Sequence, residues 1–490
     1  PARDPNNNNF VYQRFQRRIA HYDDACKCTQ GILLGDMLKS VITGENLPLD
    51  LEEQARDSGL YRQYDTSSRA SVKRPNVKEM EGTDMTRAFE ADRPSTAGGT
   101  TPTGPVAAPP VPAPPAATSE PAGGNRRSPT ATPSSSRNVR SEPYVAESPE
   151  YGMNVFLFGH ENTTERDLNN VKRANFGWQK SLFQWRIIEP DKKGTFDWTE
   201  SDRVVAASTK AGIKTIARVD FQPDWARRSK HHNGPPDKYE DYADFVKALI
   251  SRYKSGSSRG EIHAIEIWNE PNLDREWGGA TINQSSASDY VRLLRLAYAA
   301  VKEADPSVTV ISAGMSPTCT DNDQARPDDK YVQWMYDAGA KPYFDVLGAH
   351  GAGYDKPPSA STQESIEKNN GCPVFTFRRV EDVRKVMENN GDGKKQIWLL
   401  EFGWTTDKVH PEFSWFAVSP ETHAQYIVDA YLWAKNNWAP WIGVMTLWNM
   451  ADPGWGPDRE ELWWSITNPD GSPRPAYTRL QQARRDGPLK

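Results

Sequence analysis

The sequence predicts an α/β protein in which the C-terminal two-thirds of the chain forms a (β/α)8 barrel. After Tyr151, short β-branched or apolar runs alternate with amphipathic helical patterns, and eight such runs can be counted. Eight repeats over residues 150–485 fit a barrel with some long loops. A doubly wound sheet would need fewer strands and usually has a glycine-rich phosphate turn after the first strand, which this sequence lacks.

Each barrel element has its own pattern in the sequence. The strands are predicted at residues 152–158, 178–184, 213–219, 263–268, 308–314, 344–350, 396–401 and 442–448. The clearest helical patterns span residues 239–253, 287–304, 380–389 and 420–436. This alternation predicts parallel strands, each followed by a helix on the outside of the barrel.

Two further segments precede the barrel. Residues 1–74 are predicted to be a small module, with short strands around Phe10, Tyr12, Phe15 and Tyr22 and a helix over residues 32–41. Residues 75–149 are predicted to be a linker, because residues 101–125 contain eight prolines and lack an apolar pattern that could offset the entropy of ordering. The barrel is therefore expected to be autonomous from about residue 148.

Composition excludes several classes of function. The net charge is only −5 and both signs are interspersed, so neither nucleic acid nor anionic lipid is an expected partner. No apolar run reaches 18 residues, which excludes a predicted transmembrane helix. Cys26 and Cys28 lack further Cys or His at metal spacing, so no metal or cofactor is expected. The 17 tryptophans lie after residue 177 and hint at sugar stacking, although a single Trp more often fills a core.

Two glutamates stand at the carboxyl ends of predicted strands. The fourth strand ends in EIHAIEIWNEPN, which places Glu270 between Asn269 and Pro271, and the seventh ends in KQIWLLEFGW, which places Glu401 at the matching edge. Barrel active sites are assembled at this edge. Retaining glycoside hydrolysis needs two carboxyl groups about 5–5.5 Å apart. One has a raised pKa and protonates the leaving oxygen, and the other is ionised and attacks the anomeric carbon.

Residues 150–485 resemble the clan of retaining barrel glycosidases that includes families 5 and 39, in which Asn-Glu ends strand four and a second Glu ends strand seven. The resemblance implies that Glu270 is the acid/base, that Glu401 is the nucleophile, and that Asn269 donates to the sugar 2-hydroxyl. Glu266 shares strand parity with Glu270, so it is expected inside the barrel, paired with Arg or Lys.

The resemblance also implies several substrate contacts. Lys180 stands where the clan has an arginine beside the nucleophile. A lysine keeps the positive charge but cannot form the two parallel hydrogen bonds that an arginine can form to a carboxylate. His350 matches the strand-six histidine, but Ala352 occupies the usual tyrosine position, and Tyr354 is the candidate to replace it. Trp448 matches the tryptophan that floors the reacting-sugar subsite.

Further candidate residues lie near strand ends. Asp220 and Trp225 follow the third strand and are candidate sugar contacts, with core packing as the alternative. Cys319 and Cys372 lie in loops that follow neighbouring strands, so a disulfide between them is expected, with free thiols as the alternative. Several tryptophans at strand ends favour an oligosaccharide cleft with more than one stacking site: Trp268, Trp277, Trp404, Trp448 and Trp455.

The sequence therefore predicts a glycosidase that acts on a polysaccharide or oligosaccharide, with a β-linkage expected. The Pro/Ser/Thr-rich linker favours a secreted or cell-surface protein, and the start at Pro1 suggests a mature or trimmed product. Two alternatives remain open. One is transglycosylation by the same two glutamates, and the other is a non-catalytic carbohydrate-binding or adhesion barrel.

Overall fold

The computed structural model describes residues 2–3, 10–14, 18–23, 28–33, 41, 142–229 and 231–490. The chain divides into two compact units, Pro1–Arg127 and Ser128–Lys490. The first unit contains an antiparallel sheet of four strands that pair in chain order: Ala2–Arg3, Phe10–Arg14, Arg18–Asp23 and Cys28–Leu33. Within the described parts of the chain, every helix is too short or too polar to span a membrane.

The N-terminal prediction needs one correction. Short strands are present as expected, but the helix predicted over residues 32–41 cannot begin at Ile32, because Ile32 and Leu33 pair with Ile19 and Arg18 in the sheet. Residues 34–40, Phe15 and most of the predicted linker, 75–141, lie outside the described residues. The predicted boundary at residues 74 and 75 also lies there and stays a prediction.

The second unit is an eight-stranded parallel barrel, as the sequence predicts. Its strands are β1 (Glu150–Asn154), β2 (Trp178–Leu182), β3 (Lys214–Val219), β4 (Ala264–Ile267), β5 (Thr309–Ser312), β6 (Leu347–Ala352), β7 (Ile397–Gly403) and β8 (Ile442–Leu447). They are hydrogen-bonded in the order β6-β7-β8-β1-β2-β3-β4-β5. Their carboxyl ends therefore meet at one edge, as a barrel active site requires.

Strands β5 and β6 close the barrel. Parallel bridges join Ile311 to Val346 and Met315 to Ala349. A side chain at Gly348 would collide with the Ser312 carbonyl oxygen, so only glycine allows this close approach of the two strands.

Helices cover the outside of the barrel. They are α1 (Glu161–Arg173), α2 (Trp185–Ile188), α3 (Thr199–Ala211), α4 (Tyr239–Arg252), α5 (Gln284–Ala304), α6 (Asp328–Asp337), α7 (Thr362–Lys368), α8 (Val380–Asn389), α9 (Pro411–Ser414), α10 (Pro420–Trp433) and α11 (Pro475–Arg485). The four predicted helical segments correspond to α4, α5, α8 and α10. A capping box of Asn283 and Ser286 starts α5 three residues before the apolar pattern becomes clear, at residue 284 instead of 287.

The amino-terminal end of the barrel is closed by residues that the sequence assigns to the linker. Ala146 is buried in an apolar cluster with Trp178 and Trp398, and the Tyr144 ring lies 5.4 Å from the Trp178 ring. The Tyr144 hydroxyl donates to Glu150 at 2.5 Å. A chain starting near residue 148 would lose these contacts, so the structural boundary of the barrel lies before Tyr144.

Candidate active site

Glu270 and Glu401 lie at the same end of the barrel, near the carboxyl ends of β4 and β7, which are separated by β5 and β6. Glu401 is within β7, whereas Glu270 follows β4 by three residues. The backbone of Trp268 and Glu270 has φ values of 73° and 41°, a left-handed conformation that non-glycine residues rarely adopt. The Glu270 amide donates to the Gly314 carbonyl at 3.1 Å. Such backbone strain is typical of sites where the fold fixes the direction of one side chain.

His350, at the end of β6, joins the two glutamates. Its Nδ1 lies 2.9 Å from Glu270 Oε1 and 3.9 Å from Glu401 Oε2. The imidazole is 5% exposed, and the Glu270 and Glu401 side chains are 13% and 18% exposed. Because both carboxylates reach one nitrogen atom, their separation is compatible with the about 5–5.5 Å of retaining enzymes.

Two cations hold Glu401 in its ionised form. Lys180 Nζ lies 3.1 Å and Arg218 Nη1 lies 3.6 Å from Glu401 Oε1. Burial alone raises the pKa of Glu401, but the positive charges of Lys180, His350 and Arg218 outweigh it and lower that pKa to about 2. Glu401 is therefore a carboxylate throughout the neutral range, as a nucleophile requires.

Lys180 is itself fixed between two carboxylates. Its Nζ lies 2.9 Å from Glu266 Oε2 as well as 3.1 Å from Glu401, and its side chain is 2% exposed. The ion pair expected for Glu266 is thus formed with Lys180. Glu266 also accepts a hydrogen bond from the Gly314 amide at 3.2 Å. This arrangement gives the lysine one position, which partly replaces the rigidity of an arginine fork.

The charge state of Glu270 differs from the expectation of a raised pKa. Burial raises its pKa, but the hydrogen bond and positive charge of His350 outweigh burial, so the pKa lies below its usual value. For His350, burial lowers the pKa, but the negative charges of Glu401 and Glu270 outweigh burial. The pKa of His350 is therefore raised. In the unliganded site, the proton needed by an acid catalyst therefore resides on the imidazole of the Glu270–His350 pair.

Asn269 and Trp448, which the resemblance implies as substrate contacts, follow β4 and β8 at the same end of the barrel. Asn269 is 4% exposed, and among the described residues its Oδ1 has no hydrogen-bond partner. Trp448 follows β8, is half-buried, and meets Phe156 edge-on at 5.9 Å. The unpartnered amide oxygen of Asn269 can accept a hydrogen bond from a polar ligand. The half-exposed indole of Trp448 can pack against a flat apolar face of the same ligand.

Asp220 and Trp225 both have partners within the protein. Asp220 is fully buried, pairs with Arg218 at 2.8 Å and accepts a hydrogen bond from Asn233 at 3.2 Å. The Trp225 indole N–H donates to the Glu189 carbonyl at 2.9 Å, and its ring meets Trp185 edge-on. Asp220 thus holds Arg218 beside the nucleophile, and direct sugar contact by either residue stays a prediction.

Tyr354 lies in an aromatic cluster next to the site. Its ring is 4.8 Å from Phe375, 4.9 Å from Phe416 and 6.1 Å from Trp415. Burial, with the negative charges of Asp328 and Glu270, raises the pKa of Tyr354 to about 12. The role of Tyr354 as the replacement for the usual tyrosine stays a prediction.

Most of the tryptophans proposed as stacking sites are core residues. Trp268, Trp277 and Trp404 are each at most 2% exposed, so their faces are not available to a sugar. The Trp268 and Trp404 indole groups donate to the carbonyls of Glu276 and Lys356. Only Trp448 and Trp455 of the five remain half-exposed, because sequence position at a strand end does not fix the direction of a large side chain.

Sequence reasoning missed two charged residues of the site. Arg218 contacts the nucleophile from β3, and Glu276 contacts Asn233 at 2.9 Å and Arg275 at 3.7 Å. Burial and the charge of Glu270 raise the pKa of Glu276. Arg218 could have been found from strand parity. It lies two residues after the buried Ile216, so its side chain is expected on the same inward face of β3. No sequence signal marks Glu276.

A disulfide joins two loops at this end of the barrel. Cys319, after β5, is bonded to Cys372, after β6, with Cα atoms 5.8 Å apart. In the parts of the chain that the structure describes, no group of three or more His, Cys, Asp or Glu side chains is placed to hold a metal ion.

Comparison with known proteins supports the fold. No family model matches the chain. A stretch of 132 residues is 26% identical to a β-xylosidase of Geobacillus stearothermophilus, and this stretch is 25% of each protein. A family 39 glycoside hydrolase from the gut symbiont Bacteroides cellulosilyticus WH2 has a TM-score of 0.50 and 20% identity over 69% of this chain and 64% of its own. A glucosidase from Croceicoccus marinus has a TM-score of 0.51 and 12% identity over 70% of this chain and 68% of its own.

These similarities confirm the (β/α)8 barrel and bear out the resemblance that was predicted from the two strand ends. The chain spans only a quarter of the β-xylosidase that it matches and less than two-thirds of the family 39 enzyme. A similar fold at 12–20% sequence identity does not by itself show that two proteins share an activity. A function must therefore be argued from the residues of the site.

Proposed function

We propose that the barrel is a retaining glycoside hydrolase that cleaves β-linked glycosides through a covalent glycosyl-enzyme. One observation carries the proposal: Glu270 and Glu401 reach the same imidazole nitrogen of His350, at 2.9 and 3.9 Å, while Lys180 and Arg218 contact Glu401 and not Glu270. The two carboxyl groups are therefore close together but lie in different electrostatic environments. Paired carboxylates with separated pKa values are what acid/base assistance and nucleophilic attack require.

In the first step, Glu401 attacks the anomeric carbon while the leaving oxygen receives a proton from Glu270. The low pKa of Glu401 keeps the attacking oxygen ionised. The proton passes from His350 Nδ1 to Glu270 along the 2.9 Å contact when substrate displaces water, because a drier site disfavours the ion pair relative to neutral acid and neutral imidazole. The bond between the anomeric carbon and the leaving oxygen breaks as the ester to Glu401 forms.

In the second step, Glu270 acts as a base toward water. Formation of the ester removes the negative charge of Glu401, and that charge raises the pKa of Glu270 in the free enzyme. Its loss makes Glu270 easier to ionise at the moment when a base is needed. Water then attacks the anomeric carbon, gives its proton to Glu270, and releases Glu401 with overall retention of configuration.

The substrate class follows from the relatives and the site. One relative is named a β-xylosidase and one structural neighbour a glucosidase, so β-xylosides and β-glucosides are the first substrates to test. The Cys319–Cys372 disulfide supports a secreted or cell-surface location, since such bonds persist in oxidising compartments. A secreted or cell-surface enzyme would have access to sugar polymers outside the cell.

Transglycosylation by the same residues is the second candidate. Both reactions share the glycosyl-enzyme and differ only in whether water or a sugar hydroxyl attacks it. A non-catalytic sugar-binding barrel is less favoured, because it would not need the cations that lower the pKa of Glu401 to about 2.

The proposal is tested by screening xylan, cellulose, their trisaccharides and p-nitrophenyl β-glycosides, with the first-formed anomer followed by NMR. We expect β-configured product from wild type and almost none from Glu401→Gln, with an unchanged melting temperature as the control for folding. First-formed α-product, or equal turnover by Glu401→Gln, would contradict the proposal. New glycosidic linkages at high sugar concentration would identify the transglycosylase.

A further inference from the structure

An aromatic platform lies in the loops that follow β6 and β7, at the end of the barrel that holds the two glutamates. It consists of Tyr354, Phe375, Trp415 and Phe416. Trp415 is nearly parallel to Tyr354, with 29° between the planes, and meets Phe375 and Phe416 edge-on at 5.3 and 4.8 Å. The aromatic neighbours therefore hold the indole in a fixed direction.

Trp415 is open to solvent to an unusual degree. Its side chain is 55% exposed, and of the large apolar side chains described, only five reach 37%. A single exposed apolar residue is ordinary on a protein surface. Trp415 differs because three aromatic neighbours hold its ring in place, so a flat apolar face is presented in advance and little conformational entropy remains to be lost on binding.

Two connections hold the platform to the barrel. The disulfide of Cys319 and Cys372 fixes the β6 loop three residues before Phe375. The Gly353 amide donates to the Gly403 carbonyl at 2.9 Å, which fixes the residue before Tyr354 to the end of β7. The platform is thus built into the mouth of the barrel and is not a projection from a loose loop.

The platform belongs to the acid/base side of the site. Tyr354 follows His350 by four residues, and His350 lies nearer to Glu270 than to Glu401, at 2.9 against 3.9 Å. The charge of Glu270 also contributes to the raised pKa of Tyr354. In the proposed reaction Glu270 protonates the leaving oxygen, so a group on this side meets the part of the substrate that departs.

We propose that Trp415 and its platform bind the sugar ring that leaves when the glycosidic bond is cleaved. A pyranose has flat faces of C–H groups that pack on an indole, while its hydroxyl groups stay in water at the open edge. The occupant is a second ring of a β-linked oligosaccharide, and the platform makes the protein prefer such chains over glycosides with small leaving groups. This inference rests on the proposed function.

The test compares two leaving groups in the full chain. Wild type, Trp415→Ala, Trp415→Phe and Val409→Ala are assayed on xylotriose or cellotriose, whichever wild type cleaves, and on the β-glycosyl fluoride of the same sugar. Fluoride is too small to reach the platform. We expect the ratio of kcat/KM for the trisaccharide to kcat/KM for the fluoride to fall about 10-fold or more in Trp415→Ala and far less in Trp415→Phe. Val409, 57% exposed in the same loop but outside the platform, is the matched control and should leave the ratio unchanged.

A binding measurement separates this inference from the proposed function. Xylotriose and cellotriose are titrated calorimetrically into Glu401→Gln, with and without Trp415→Ala. A dissociation constant about 10-fold weaker with Trp415→Ala supports the platform even if wild type turns over no glycoside, an outcome that would count against the proposed function alone. Equal dissociation constants, no binding of either trisaccharide, or a trisaccharide-to-fluoride ratio unchanged in Trp415→Ala would overturn the platform.

Discussion

The two ends of the barrel interior differ in what they bury, although the same strands build both. On β2 the inward side chains are Trp178 and then Lys180, and on β3 they are Ile216 and then Arg218. Two residues along a strand cover about 7 Å, so the interior changes from apolar to charged within one pleat step. The same change occurs on β4, from Ala264 to Glu266.

This difference separates stability from chemistry. At the apolar end Trp178 packs against Trp398 and is covered by Ala146, which removes apolar surface from water, and the Lys214–Glu150 ion pair at this end stays partly exposed. At the other end, buried charges are tolerated because each has a partner, as Lys180 has Glu266 and Glu401. Changes at the first end should alter stability alone, and changes at the second should alter catalysis first.

The largest effect is expected from Lys180→Met, which removes a buried cation from between two carboxylates. Without the positive charge, the pKa of Glu401 rises from about 2, so the nucleophile begins to be protonated in mildly acidic solution. We expect kcat/KM to fall about 10²–10³-fold at neutral pH and further toward pH 4, whereas wild type loses nothing through Glu401 in that range. Lys180→Arg keeps the charge and should retain most activity. An unchanged acid limb in Lys180→Met would show that Arg218 alone holds the nucleophile ionised.

A smaller effect, on stability only, is expected at the opposite end from Tyr144→Ala. The Tyr144 ring packs on Trp178 and lies 4.0 Å below Lys214 Nζ, and its hydroxyl binds Glu150. We expect a loss of about 2–3 kcal/mol in the free energy of unfolding, with kcat unchanged. Val145→Ala is the matched control, because Val145 is 77% exposed and should cost under about 0.5 kcal/mol. A fall in kcat with unchanged stability would contradict the division between the two ends.

The smallest effect is a shift in pH dependence on removing His350. In wild type the pKa of His350 is raised above 6.5, so the Glu270–His350 pair keeps its proton up to that pH or higher. In His350→Gln the proton must sit on Glu270 alone, whose usual value is 4.5. The basic limb of kcat/KM should therefore move down by about two pH units. His410→Gln, a histidine paired with Asp407 away from the two glutamates, should not move it. An unmoved limb in His350→Gln would remove His350 as the proton holder.

The strands and the two glutamates could be predicted because local sequence determines them. β-Branched runs mark the strands, and the carboxyl ends of β4 and β7 must meet at one edge, so position predicts that Glu270 and Glu401 lie at the same end, while their roles rest on the resemblance. The Cys319–Cys372 bond follows in the same way from neighbouring loops. These features need only chain order and the direction of the strands.

The remaining features depend on tertiary packing, which chain order does not supply. Strand parity places Arg218 on the inward face of β3, but its 3.6 Å approach to Glu401 depends on how the barrel closes. Trp268 and Trp404 are buried in the core and do not face the substrate. Tyr144 lies in the predicted linker but packs on Trp178 and closes the amino-terminal end of the barrel. The lowered pKa of Glu270 likewise depends on His350, whose distance from Glu270 is set by the barrel.

The most direct test of the two roles is azide rescue of Glu270→Ala and Glu401→Ala on an activated aryl β-glycoside, with the product configuration determined by NMR. Glu270→Ala should still form the glycosyl-enzyme and then stall, because deglycosylation needs its base. Azide needs no base, so it should restore turnover and give a β-glycosyl azide. With Glu401→Ala, azide should attack directly and give the α-glycosyl azide. An α-azide from the Glu270 variant would contradict the account, since it would mean that the acid/base and the nucleophile are assigned the wrong way round.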